Sequence, residues 1–186
     1  MTQTHIILIR HGEAASSWSQ HPDPGLSSDG VIQAKNVSKE FTEDFSSYKL
    51  LSSPKSRAIE TMEPIALRQK RDFDINNYFI EIPSADIANE KKQAWLKKVF
   101  EAPFDELPDA VKTWRHNLIY WLEGFKGNAI ITTHFMVINV LASYLTKQNT
   151  IAYFHPGYTS RTEIWLENGS LVKLILGDDK KTVINL

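Results

Sequence analysis

The sequence predicts an α/β fold, a three-layer α/β/α sandwich around a mostly parallel central sheet. Short apolar runs suited to strands alternate along the chain with longer segments of helical spacing. The first run, Ile6-Ile7-Leu8-Ile9, is apolar without interruption, as expected of a strand covered on both faces. The 186 residues, 42% hydrophobic and 23% charged, are enough to bury one core, and no repeat, linker or low-complexity tract divides them. One domain over residues 1–186 is therefore expected.

After the first strand comes a polar loop with Gly and Pro, residues 11–25. Ser27 or Ser28 can cap a helix to about residue 45, with Val31, Ala34, Val37 and Phe41 on its inner face. Tyr48-Lys49-Leu50-Leu51 reads as a second strand, ending in Ser52-Ser53-Pro54, where proline suits the first turn of a helix to about residue 68. Weak alternation over residues 73–82 predicts a third strand. Residues 86–101 read as a helix with Ile87, Trp95, Leu96 and Val99 inward, and Pro103 breaks it. A further helix is expected over residues 105–125, through Leu107, Val111, Trp114, Leu118 and Leu122. Ala129-Ile130-Ile131 is the fourth strand, and residues 134–145 form a very apolar helix. Two last strands, residues 162–166 and 171–176, flank Glu167-Asn168-Gly169, whose Asn-Gly pair signals a hairpin.

Composition excludes several classes. A net charge of −1 offers no general attraction to nucleic acid or an anionic membrane, so neither is expected as a partner. Without cysteine there is no disulfide framework, thiolate nucleophile or Cys-based zinc site. The histidines lack tight ligand spacing, so no metal and no cofactor are expected. The leading apolar run is too short for a signal core or a membrane span, which makes the cytoplasm the expected location.

In open α/β sheets ligands sit beyond the carboxyl ends of the strands. The polar residues there are Arg10 and His11, the stretch from Ser52 to Arg57, Glu81, and Thr133 with His134. Arginine's planar fork matches phosphate oxygens, and stabilising their charge is the main task in phosphoryl transfer. Attack falls to Ser, Asp or His. A histidine flanked by guanidinium groups is discouraged from protonating and keeps a lone pair for nucleophilic attack. Glu81 is the obvious acid for a leaving alkoxide if its site raises its pKa.

Leu8-Ile9-Arg10-His11-Gly12-Glu13 resembles the RHG signature of the histidine phosphatase superfamily, the phosphoglycerate mutase-like fold. Asp23-Pro24-Gly25-Leu26-Ser27-Ser28-Asp29-Gly30, Ser52-Ser53-Pro54-Lys55-Ser56-Arg57-Ala58-Ile59-Glu60-Thr61 and Thr132-Thr133-His134 resemble further blocks of that family, in the same order. The resemblance implies a metal-independent phosphatase for a small phosphorylated substrate. His11 would become phosphohistidine, and Arg10, Arg57 and His134 would bind the phosphoryl oxygens. Glu81 would be the general acid and base. Ser17 falls where many relatives place a phosphate-touching Asn.

Departures from the family pattern are Ala14 after Glu13, Phe135 where relatives commonly have Gly, and Ile82-Pro83-Ser84-Ala85 after Glu81. Phe135 is expected to narrow the pocket or change its backbone approach. The rival readings are a mutase, a phosphohistidine protein phosphatase and a catalytically silent phospho-ligand-binding domain. Substrate choice is expected to lie in residues 14–25 and 82–110, with His21 over the pocket. The tryptophans and tyrosines between Trp95 and Tyr120 suit either the core or a homodimer contact.

Overall fold

The computed structural model describes residues 2–17 and 20–186. Its central sheet combines β1 (Gln3–Arg10), β2 (Tyr48–Ser52), β3 (Asp74–Ile75), β4 (Gly127–Thr133), β5 (Arg161–Glu167) and β6 (Ser170–Ile175) in the order β3-β2-β4-β1-β5-β6. The β1–β4, β2–β4 and β2–β3 pairs are parallel, whereas β5 runs against β1 and β6. The helices are α1 (Ser28–Ser38), α2 (Ser56–Gln69), α3 (Lys92–Glu101), α4 (Asp109–Gly124) and α5 (Phe135–Leu145). The mostly parallel three-layer sandwich expected from the sequence is the one observed.

The unbroken apolar run in β1 feeds two cores. Ile6 and Leu8 join the cluster formed with α3, α4 and α5, while Ile7 and Ile9 join the cluster formed with α1 and α2. In β4, Ala129 and Ile131 face the first cluster and Ile130 the second. Successive side chains point to opposite faces, so a strand between two helical layers needs apolar residues at every position. Helix α5 is apolar all round because residues 135–143 are all buried. Helix α4 has an inner stripe of Val111, Trp114, Leu118 and Leu122.

The third strand is much shorter than expected, Asp74–Ile75 rather than residues 73–82. The Asn76 side chain accepts from the Tyr78 N–H and opens a 3₁₀ turn, Asn77–Phe79. Such local bonding competes with a strand ladder. Side chains then take the freed carbonyls, Thr133 Oγ1 donating to Phe79 and Trp114 Nε1 to Ile80.

Other boundaries move as well. Helix α1 stops at Ser38, whose hydroxyl turns back onto the Lys35 carbonyl, yet Phe41 stays fully buried beyond it. The segment expected to be helical from residue 86 starts with a 3₁₀ turn, Asn89–Lys91. Leu107 is extended before Pro108, which delays α4 to Asp109. The Asn168 and Gly169 turn has positive φ at both residues, 49° and 82°, matching the hairpin read from the sequence. Among the described residues no helix is long and apolar enough to cross a membrane.

Candidate active site

Strand register builds the site. Arg10 lies opposite Thr133, and Ser52 opposite Thr132, so β1, β2 and β4 end together. The residues that leave these strands, His11, Ser53 and His134, meet at one sheet edge. The His11 N–H donates to the Thr133 carbonyl at 2.9 Å, and the Ser53 N–H to the Thr132 carbonyl at 3.0 Å.

His11 is 1% exposed. Its Nδ1 lies 2.6 Å from the Gly12 carbonyl, a contact that only a protonated Nδ1 can make. The Nε2 lone pair is then free to accept, and Arg57 Nε donates to it at 3.2 Å. Burial, then the Arg57 and Arg10 guanidinium groups, hold the His11 pKa well below its ordinary 6.5. The ring is a neutral imidazole with its Nε2 lone pair turned towards Arg57.

His134 precedes α5 and crosses His11 edge-on, with ring centroids 5.2 Å apart. Its Nε2 lies 2.7 Å from Ser53 Oγ. Burial, then Arg57, His11, Lys55 and Arg10, push its pKa well down. Arg10 is buried between rings, its guanidinium carbon 4.4 Å from the Tyr158 centroid and 5.4 Å from that of Phe135. Burial lowers the Arg10 pKa to about 10 and also lowers that of Arg57.

Glu81 accepts from the Ile82 N–H at 2.9 Å and, at the start of α5, from the Met136 N–H at 3.3 Å. Both bonds favour the carboxylate, as do Arg57 and Arg10, but burial outweighs them and raises the pKa to about 7. Glu81 can therefore give or take a proton near neutrality. Glu81 follows the turn that replaces the expected strand.

Arg10, His11, Arg57, His134 and Glu81 thus lie together, as their order along the sequence implied. Ser17 sits half-buried in the loop, its carbonyl accepting from the Gln20 and His21 N–H groups. Trp18 and Ser19, within the loop expected to influence substrate choice, lie outside the described residues. His21 lines the adjoining cavity, as its loop position implied. Phe135 does not narrow that cavity. It is buried, stacks on Phe100 at 5.7 Å and supports the Arg10 guanidinium. No group of three or more His, Cys, Asp or Glu residues able to hold a metal occurs among the described residues.

The cavity, about 1360 Å³, opens at Glu81 and runs between the 3₁₀ turn, α3 and α4. Ile80, Ile82, Pro83 and Trp114 give it an apolar wall, and Lys55 and Lys92 bring positive charge. Glu81 is the only Asp or Glu among its described lining residues.

Several supporting residues were not singled out from the sequence. Ser53 orients His134, Thr61 Oγ1 accepts from the Gly12 N–H at 3.1 Å, and Tyr158 covers Arg10. Ser53 and Thr61 fall within a family-like block, but Tyr158 has no motif around it. The segment 182–186 also lies in the site. Arg10 donates to Thr182 Oγ1 and to the Val183 carbonyl, and Arg57 to the Asn185 carbonyl at 3.3 Å.

Residues 6–179 match the histidine phosphatase superfamily (branch 1), and the chain belongs to that family. Solved structures of the same phosphoglycerate mutase-like fold include a phosphoserine phosphatase from Entamoeba histolytica, 22% identical, with a TM-score of 0.70 over 96% of this chain and 98% of that one. An alpha-ribazole phosphatase from Shigella flexneri is 19% identical, with a TM-score of 0.70 over 97% and 100% of the two chains. A phosphoglycerate mutase from Bacillus anthracis is 17% identical, with a TM-score of 0.71 over 92% and 91%. A search of curated proteins finds no match.

Proposed function

We propose that this chain is a phosphatase that hydrolyses a phosphomonoester through phosphohistidine on His11. The observation that carries the reading is the neutral His11 ring, with Nδ1 on the Gly12 carbonyl and Nε2 facing Arg57. In the first step Nε2 attacks phosphorus in line, the P–N bond forms and the P–O bond to the leaving group breaks. Glu81 gives its proton to the leaving oxygen. In the second step Glu81 takes a proton from water, the resulting hydroxide attacks phosphorus and the P–N bond breaks. An alcohol and inorganic phosphate leave, and histidine and acid are restored. Arg10, Arg57 and His134 hold the charge on the equatorial oxygens throughout.

Glu81 supports an alkyl or sugar phosphate over a phosphohistidine, whose leaving group needs less acid help. The open cavity beside Glu81 supports hydrolysis over a mutase, which must keep water from its phosphoenzyme. The cavity exceeds the usual range of small-ligand sites, about 300–1,000 Å³, and has an apolar wall with two lysines. A leaving group with an apolar body and a second anionic group fits it. Replacing Lys55 with Gln is expected to raise KM by about tenfold or more for a phosphomonoester bearing a carboxylate, the loss of roughly one charge-assisted hydrogen bond. A phosphomonoester whose leaving group carries no charge should respond little.

The first test is hydrolysis of an aryl phosphate with a chelator present, beside His11→Ala. Turnover should survive chelation and fall by about 10⁴-fold or more in the variant. Mass spectrometry of enzyme quenched without acid should show a phosphoryl adduct on His11. Ordinary turnover by His11→Ala would end this reading.

A further inference from the structure

The phosphoryl seat is filled by the protein itself. After β6 the chain turns back, pairs Pro156 with Asp179, and lays residues 182–186 across the arginines. The Val183 carbonyl accepts from Arg10 and, at 3.2 Å, from the Tyr158 hydroxyl. With the Asn185 carbonyl on Arg57, neutral acceptors stand where phosphate oxygens would bind. Asn185 is only 4% exposed, and the end of this segment, Leu186, reaches the leaving-group cavity.

We propose that residues 182–186 form an autoinhibitory strap that competes with substrate phosphate for Arg10 and Arg57 and must lift before catalysis. The inference rests on the proposed phosphate-binding roles of those two arginines.

Two features mark the strap as a displaceable stand-in. First, it satisfies the seat incompletely. Among the described residues, Arg10 Nε, His134 Nδ1 and Asn185 Oδ1 are buried without a hydrogen-bond partner. Buried polar atoms left unpaired weaken the closed state. Second, its acceptors are neutral, whereas a phosphate gives arginine shorter, charge-assisted bonds about twice as strong. The strap's advantage is attachment, which supplies an effective concentration of about millimolar. Substrate then binds only the open fraction, and its apparent affinity is reduced by that fraction.

The test compares the full chain with a variant lacking residues 182–186 and with Thr182→Glu, which places a carboxylate beside Arg10. Inorganic phosphate binding is read by calorimetry and aryl phosphate turnover by initial rates. A strap closed about nine-tenths of the time predicts that deletion tightens phosphate and lowers KM about tenfold with kcat unchanged. Thr182→Glu should raise KM, and a peptide of residues 181–186 added to the deletion variant should inhibit competitively with phosphate. Deletion that raises KM or lowers kcat in a folded protein would overturn the proposal, because the segment would then be a wall of the working site. Should the deletion variant fail to fold, Thr182→Glu decides, and an unchanged KM overturns the strap. Equal phosphate affinity in the full chain and the deletion variant rejects the strap alone. No phosphate binding by either rejects the seat as well.

Discussion

Glu81 and His11 are both buried, with opposite results, and pH separates them. Burial raises Glu81 from 4.5 to about 7 and drives His11 down from 6.5. His11 is therefore neutral across the working range, while the proton that the proposed first step takes from Glu81 is lost above about pH 7. On an alkyl phosphate, kcat/KM should fall above that pH. Glu81→Gln should lose this limb and lower kcat by about 10²–10⁴-fold, with a smaller loss on an aryl phosphate whose leaving group needs no proton.

Stability follows the same protons. A carboxyl group with a raised folded-state pKa stabilises the native state below its unfolded value and loses that contribution as pH rises through the folded value. Wild type should therefore lose about 3 kcal/mol relative to Glu81→Gln between pH 4.5 and about 7, read from urea melts of both proteins. His11 and His134, held neutral by burial, work in the other direction and destabilise the fold as pH falls below 6.5. An absent difference between the two proteins would mean that Glu81 is not protonated in the native state.

Among the elements, α5 depends on one polar residue inside an apolar helix. Asn139 is fully buried, donates to the Phe135 and Phe154 carbonyls, and accepts from the Tyr153 and Phe154 N–H groups. It ties the helix that follows His134 to the segment that leads to Tyr158. Asn139→Ala removes the side-chain partner of the Phe154 carbonyl and of the Tyr153 and Phe154 N–H groups, while the Phe135 carbonyl keeps its helical bond, and should cost about 3 kcal/mol by denaturant melt. A loss below about 1 kcal/mol would mean that the segment re-pairs without it.

The elements also divide by how well the sequence announces them. In β1, β4 and α5, burial on every side demands unbroken apolarity, and that pattern is visible in the letters. Around β3 the decisive event is one Asn side chain taking a backbone N–H, and alternation over residues 73–82 carries no trace of it. Glu81 could thus be singled out by type and position, but not the turn that precedes it.

For the whole molecule, the site residues were legible because they follow strands whose order brings them to one edge. The strap was not, because its main acceptors at Val183 and Asn185 are backbone carbonyls, which every sequence possesses. Occupancy of the seat should register globally. Vanadate at a hundred times its Kd should stabilise the fold by about 2.7 kcal/mol, and Arg57→Ala should abolish most of that gain. A full gain in the variant would place the anion elsewhere.

The position of β1 has a consequence during synthesis. Its neighbours are β4 and β5, so Ile6 waits for Ala129 on one side and Ile164 on the other. Contacts this distant in sequence form late, and until they do the apolar run beside His11 has no sheet to enter. A nascent chain stalled with 150 residues outside the ribosome should be readily cut by protease, and one displaying 175 should resist. His11 follows a strand whose second neighbour, β5, is made far later in the chain, so the young polypeptide carries His11 long before the site around it can form.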